Sequence, residues 1–189
     1  MEKINGGVCA PQGFKANGVH CGIRKNKTKR DLALIVSETR CAAACVYTQN
    51  LVKGAPILVT KKHVADGYAQ AIVCNSGNAN TCNADGEEIA EGMCGLVAQH
   101  TGIAAEDVVV ASTGVIGRPL SLEPMAEHME ELAAGLGAYS TEAAQAIMTT
   151  DTVEKQIAYT FRLGGKPCTI GAIGKGVGMI NPNMATMLV

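Results

Sequence analysis

Aromatic residues are almost absent from this chain of 189 residues: it has no tryptophan, two phenylalanines and four tyrosines. A core must therefore be built from Val, Ile, Leu, Met and Ala, and an apolar share of 47% is enough to build one. Charge is scarce too, at 17% of residues with a net charge of −1. No basic surface of the kind that neutralises phosphates is present, so nucleic acid is not an expected partner. The short basic cluster from Lys25 to Arg30 reads as a solvated turn. No apolar run is long enough to span a membrane, and Met1-Glu-Lys-Ile-Asn-Gly6 lacks the apolar centre of a signal peptide. No CxxC pair occurs. Cys41 and Cys45 are four apart, Cys74 and Cys82 eight apart, and His20, His63, His100 and His128 are scattered, so no metal site is expected. Several of the eight cysteines sit inside apolar runs, as Cys45 and Cys74 do, where Cys acts as a small hydrophobe. A reducing, cytoplasmic setting is the expectation.

What the chain has in quantity is glycine, 22 residues without a period, which implies many tight turns and close backbone approaches. No internal repeat or linker is visible. The apolar runs Leu32 to Ser37, Ala44 to Thr48, Pro56 to Thr60, Ala71 to Asn75 and Val108 to Ser112 read as strands. Lys61 to Gly67 reads as a short helix. Asn75-Ser-Gly-Asn-Ala-Asn80 and Thr113-Gly114 read as turns. Asp85 to His100 carries Ile89, Met93, Leu96 and Val97 on one helical stripe, and Asp85 with Glu88 resembles a capping box. Ser121 can cap a helix over Glu123 to Ala134, and Thr141 to Thr149 is a second, Ala-rich helix. Gln156 to Arg162 and Cys168 to Ile173 read as a hairpin across Gly164-Gly165. The fold class is α/β, with mixed sheets covered by helices.

The final segment, Lys175-Gly-Val-Gly-Met-Ile-Asn-Pro-Asn-Met-Ala-Thr-Met-Leu-Val189, holds the chemistry. Met187 to Val189 reads as the first residues of a strand, so the chain is expected to be the front part of a longer protein. A threonine hydroxyl is a poor nucleophile, but a threonine at a chain start carries its own base, an α-amine with a pKa of about 8. Breaking the bond before Thr186 would create that amine. Ala185 is small enough to leave its carbonyl open, and Asn181-Pro182-Asn183 favours a turn that can strain the junction. An ordinary strand threonine is the plainer alternative. Lys175, in Gly174-Lys-Gly-Val-Gly178, matches neither a phosphate loop nor a dinucleotide fingerprint. It suits a substrate carboxylate, or a surface turn. Thr113 and the N–H of Gly114 can face a developing oxyanion, or form only a turn. Met148-Thr-Thr-Asp-Thr152 suits polar substrate contact, or a helix end that satisfies itself.

Several segments together resemble one family. They are Ala10-Pro-Gln-Gly-Phe-Lys-Ala16, Asp31-Leu-Ala-Leu-Ile-Val-Ser37, Val52-Lys-Gly-Ala-Pro-Ile57 and Asn75-Ser-Gly-Asn-Ala-Asn80. In the same order follow Ser112-Thr-Gly-Val-Ile-Gly117, Ile147-Met-Thr-Thr-Asp-Thr152, Lys175-Gly-Val-Gly-Met-Ile180 and Pro182-Asn-Met-Ala-Thr-Met-Leu188. The chain is similar to the amino-terminal (α) part of the ArgJ family, the glutamate N-acetyltransferases or ornithine acetyltransferases of arginine biosynthesis. The resemblance implies an αββα-type sandwich, incomplete without a second fragment. Residues 1–189 would be the α-chain part of one acyltransferase, ending just past a self-cleavage junction between Ala185 and Thr186. Thr186 would be the nucleophile, Thr113 and Gly114 the oxyanion hole, and Thr149, Lys175 and Thr186 the substrate-binding residues. Acetyl would pass from N-acetylornithine to glutamate through acetyl-threonine, without a cofactor. Some members also accept acetyl-CoA. The implied partner is the second (β) fragment of the same precursor, in an α2β2 heterotetramer in the cytoplasm, and this fragment alone is expected to be inactive. Two other readings stay open: a self-processing amidohydrolase or aminopeptidase on the same scaffold, and a non-catalytic assembly fragment.

Overall fold

The computed structural model describes residues 1–176, 178 and 187–189. Its strands are β1 (Glu2–Ile4), β2 (Phe14–Val19), β3 (Leu32–Ala42), β4 (Tyr68–Asn78), β5 (Val108–Val115), β6 (Lys155–Leu163) and β7 (Lys166–Gly174). Its helices are α1 (Ala55–His63), α2 (Gly86–Thr101), α3 (Glu123–Ala134) and α4 (Ser140–Ala146). The strands form two sheets, ordered β2-β3-β4-β5 and β1-β6-β7. All pairs are antiparallel except β4 with β5, which run parallel with α2 in the connection between them. The mixed α/β class expected from the sequence is what the chain adopts. Among the described residues no helix is long and apolar enough to cross a membrane.

Strand alternation divides the four-stranded sheet into two unlike faces. Leu32, Leu34, Val73, Val108 and Val110 point to one face and pack on Met93, Cys94 and Val97 of α2 and Met125, Met129 and Leu132 of α3. Ala33 and Cys74 point to the other and meet Ala143, Ala144 and Ala146 of α4 and Ile173 of β7. Bulky side chains fill the gap to the helices. Small ones let α4 and the second sheet come close. The outer side of β6-β7 leaves Ile157, Leu163 and Ile170 exposed.

The long apolar elements lie where the sequence put them. Met93 and Val97 of the α2 stripe are fully buried, and Ile89 and Leu96 pack beside them. The amide of Glu123 donates to Ser121 Oγ at 3.2 Å, but the N-cap of α3 is Leu122, one position later than expected, and it makes no side-chain cap bond. Other expectations fail. Pro56 to Thr60 is helix, not strand. Pro56 sits in the first turn, where its missing N–H costs nothing, and Pro56, Val59, Thr60 and His63 form the buried stripe. Ala44 to Thr48 forms no strand: after Ala42 pairs with Tyr68 the chain leaves the sheet, and Val46 is exposed. The helix expected over Lys61 to Gly67 is the end of α1 followed by a 3₁₀ turn over Val64–Asp66. Asp85 precedes α2 without a side-chain cap bond, so no capping box forms. The Asn75 and Thr113 turns are instead continuations of β4 and β5. The sequence also hid β1 and β2; in β2, Asn17-Gly18 mimics a turn.

Candidate active site

The same alternation that sorts the core builds the site. Beyond Val110, Ala111 and Thr113 face the second sheet while Ser112 faces the helices. Ser112 Oγ donates to Asn75 Oδ1 at 2.5 Å, and Asn75 Nδ2 donates to the Asn78 carbonyl at 2.9 Å. Asn78 Nδ2 reaches the carbonyls of Arg118 and Pro119 at 3.0 and 3.1 Å. These side chains link the end of β4 to β5 and to the exposed loop that follows it. On the opposite face Ser76, paired in register with Thr113, donates to the Ala146 carbonyl at 2.5 Å and so anchors the end of α4.

Thr113 is 2% exposed. Lys175, just past the end of β7, donates from Nζ to Thr113 Oγ1 at 3.1 Å and is itself 3% exposed. It is therefore no surface-turn lysine. Burial pulls its proton affinity down, with the Asp151 carboxylate working the other way. An ammonium can only donate, so Thr113 Oγ1 is the acceptor in this contact and its O–H proton stays available to another acceptor. Gly114 follows at φ +136°, paired with Gly77. A Cβ on Gly114 would fall 2.4 Å from the Gly77 carbonyl carbon, so no side chain fits beside Thr113.

The residues after α4 join this group through Asp151, whose carboxylate is almost fully buried. Its Oδ1 accepts from the amide of Gly176 at 2.7 Å and from Lys155 Nζ at 2.6 Å, and its Oδ2 accepts from the amide of Thr149 at 3.4 Å. Burial opposes ionisation, but the Lys155 ammonium and the two backbone N–H groups outweigh it and hold the carboxyl at about 2. A permanent anion thus ties the Thr149 segment to the residue after Lys175. Leu188 returns to the same place: its carbonyl accepts from the amide of Lys175 at 2.9 Å in a single antiparallel bridge.

Thr113, Gly114 and Lys175 are therefore together, with Thr149 joined through Asp151. Ala185 and Thr186 lie outside the described residues. Sequence reasoning marked Met148-Thr-Thr-Asp-Thr152 as suited to polar contact but did not single out Asp151, although a carboxylate among three threonines was a visible signal. It also overlooked Arg24, whose guanidinium donates to the Met148 carbonyl and which no motif marks. All eight cysteines carry free thiols. Among the described residues no group of three or more His, Cys, Asp or Glu could hold a metal ion.

The sequence profile described as the ArgJ family matches residues 15–189. The arginine biosynthesis bifunctional protein ArgJ of Symbiobacterium thermophilum is 49% identical over 191 residues, which cover 100% of this chain and 48% of that protein. The protein of the same name from Bacillus subtilis is 46% identical over 193 residues, 100% of this chain and 46% of its own length. The chain thus spans about half the length of the curated relatives it matches. Among solved structures, the arginine biosynthesis bifunctional protein argJ of Bacillus halodurans has a TM-score of 0.89 at 36% identity, covering 98% of this chain and 97% of that one. The ornithine acetyltransferase of Mycobacterium tuberculosis, complexed with ornithine, gives 0.86 at 33% identity over 99% of each chain.

Proposed function

Because this chain belongs to the ArgJ family, we propose that it is the amino-terminal part of an enzyme of arginine biosynthesis that moves acetyl from N-acetylornithine to glutamate through an ester on Thr186. The observation that carries the reading is the buried Lys175–Thr113 contact beside Gly114, two positions of strand β5 that suit an oxyanion. Leu188, two positions beyond Thr186 in the sequence, is bonded to that same lysine. The solved relatives include chains of this length although the curated relatives are about twice as long, which supports processing at this point.

In this reading the Thr186 hydroxyl attacks the Ala185 carbonyl, the peptide nitrogen leaves as an amine, and water opens the resulting ester. Ala185 ends one chain, and Thr186 begins the next with a free α-amine. That amine takes the hydroxyl proton as Thr186 Oγ attacks the acetyl carbon of N-acetylornithine. Negative charge gathers on the acetyl oxygen, where the O–H of Thr113 and the N–H of Gly114 stabilise it. The carbon–nitrogen bond breaks and the α-amine of ornithine leaves with the proton. The amine of glutamate then attacks the acetyl ester, releases N-acetylglutamate and restores the hydroxyl. Thr149 and Lys175 hold the polar ends of the amino acids. The exchange runs between two amines through one ester, so it calls for no cofactor. The second fragment of the same precursor completes the site, in an assembly with two copies of each chain.

Amino-terminal sequencing of the purified complete gene product tests this. The expected result is two fragments, one beginning at Thr186, in a preparation that acetylates glutamate. A single unbroken polypeptide with that activity overturns the proposal.

A further inference from the structure

The end of β4 and the segment that carries Thr149 converge on one side chain outside the site. The loop between β2 and β3 is pinned by Asp31, a carboxylate with no solvent exposure, which accepts the amides of Cys21 at 2.6 Å and Arg24 at 2.8 Å. Pinned in this way, Arg24 lays its stem over Gly77, the β4 residue paired with Gly114. A Cβ at Gly77 would fall 2.9 Å from Arg24 Cγ and 3.1 Å from Ile23 Cγ2. The guanidinium then reaches the end of α4 and donates to the carbonyl of Met148, the residue before Thr149. Its charge is felt by Asp151 and by Lys175. The neighbouring cations of this loop, Lys25, Lys27 and Lys29, point to solvent instead.

We infer that Arg24 is a positioning residue, which fixes the segment carrying Thr149 against the end of β4 so that Thr149 and Lys175 meet the same substrate. This rests on the proposed function for the role of Thr149. A planar fork suits the task. It can hold a carbonyl while its stem fills a groove that only glycine leaves open, and it stays charged at any working pH. Arg24 does not touch the reacting atoms. Its removal should loosen substrate binding and leave the chemical step alone.

The test compares Arg24→Met and Arg24→Lys with wild type, each in the complete gene product. Hydrogen exchange of the peptide spanning residues 147–153 reads positioning without any substrate. It is expected to speed up by about tenfold in Arg24→Met, with the α3 peptide unchanged. The KM for N-acetylornithine is expected to rise about fivefold or more with kcat nearly constant, and Arg24→Lys, which keeps the charge and most of the stem, should lie between. Unchanged exchange at 147–153 overturns the inference whatever the activity. So does a fall in kcat at constant KM. If Arg24→Met does not fold, Arg24→Lys decides by the same two readings. A wild type without transferase activity, alongside faster exchange in the variant, would sink the proposed function and leave the positioning role standing.

Discussion

The two faces of the four-stranded sheet are made by alternate residues of the same strands, yet they do different work. Toward α2 and α3 lie large apolar side chains, and the polar ones among them, Asn75 and Ser112, bond to each other and to strand ends. Toward α4 and β7 lie alanines, a cysteine, Ser76 and Thr113, with a buried lysine set among them. The first face carries the larger apolar cluster, and burial of that surface favours the fold. The second gives up bulk so that backbones approach, and it keeps buried polar groups whose partners come from distant parts of the chain. A step of one residue, from Ser112 to Thr113, crosses from the supporting face to the face proposed to carry the chemistry.

The comparison breaks or sharpens under substitution. The largest effect is expected at Thr186, the proposed nucleophile: Thr186→Ala in the complete gene product removes the hydroxyl and with it the cleavage that would free an α-amine, so processing and acetyl transfer should both disappear, as gel mobility and a coupled assay would report. Next, Thr113→Val keeps the shape but removes the hydroxyl, and turnover should fall about 10²-fold, while Thr113→Ser keeps most of it. Normal turnover in Thr113→Val would remove this residue from the oxyanion site. On the helix side, Leu132→Ala should lower unfolding free energy by about 2–5 kcal/mol, with kcat per folded molecule unchanged. A fall in kcat there would mean that the two faces are not separable. The smallest effect is at Asp151. Its folded pKa is depressed to about 2, so its ionised form adds stability that is fully present above the unfolded value of about 4 and is lost as pH falls toward 2. Denaturation of wild type and Asp151→Asn should therefore differ most near neutral pH, and the gap should close between pH 4 and 2.

Much of this was legible in the sequence, but unevenly. Strands with continuous apolar runs, such as β4 and β5, announce themselves because both of their faces are covered. Helix α1 does not, since two of its four inward residues are polar. Thr60 Oγ1 bonds the Val110 carbonyl at 2.7 Å and His63 Nδ1 lies 2.9 Å from the Val108 carbonyl, so both act as core residues that hydropathy counts as surface. β2 is hidden for a similar reason: Asn17 reads as a turn residue, yet its Nδ2 reaches back to the Leu132 carbonyl at 3.0 Å. Thr113, Gly114 and Lys175 were singled out from their glycine-flanked settings and given roles by family resemblance, whereas the Lys175–Thr113 contact was not readable, because it joins residues 62 positions apart. Arg24 and Asp31 left no trace in spacing or composition. Their importance comes from where a loop is pinned, and that is a property of the folded chain.

The most direct measurement is acid trapping of the intermediate. The complete gene product is mixed with N-acetylornithine in the absence of glutamate, quenched in acid, digested and read by peptide mass. The account predicts one added acetyl group on the peptide that begins at Thr186, and its discharge when glutamate is supplied. Turnover of N-acetylornithine with Thr186 unmodified, or with the acetyl group on another residue, would contradict it.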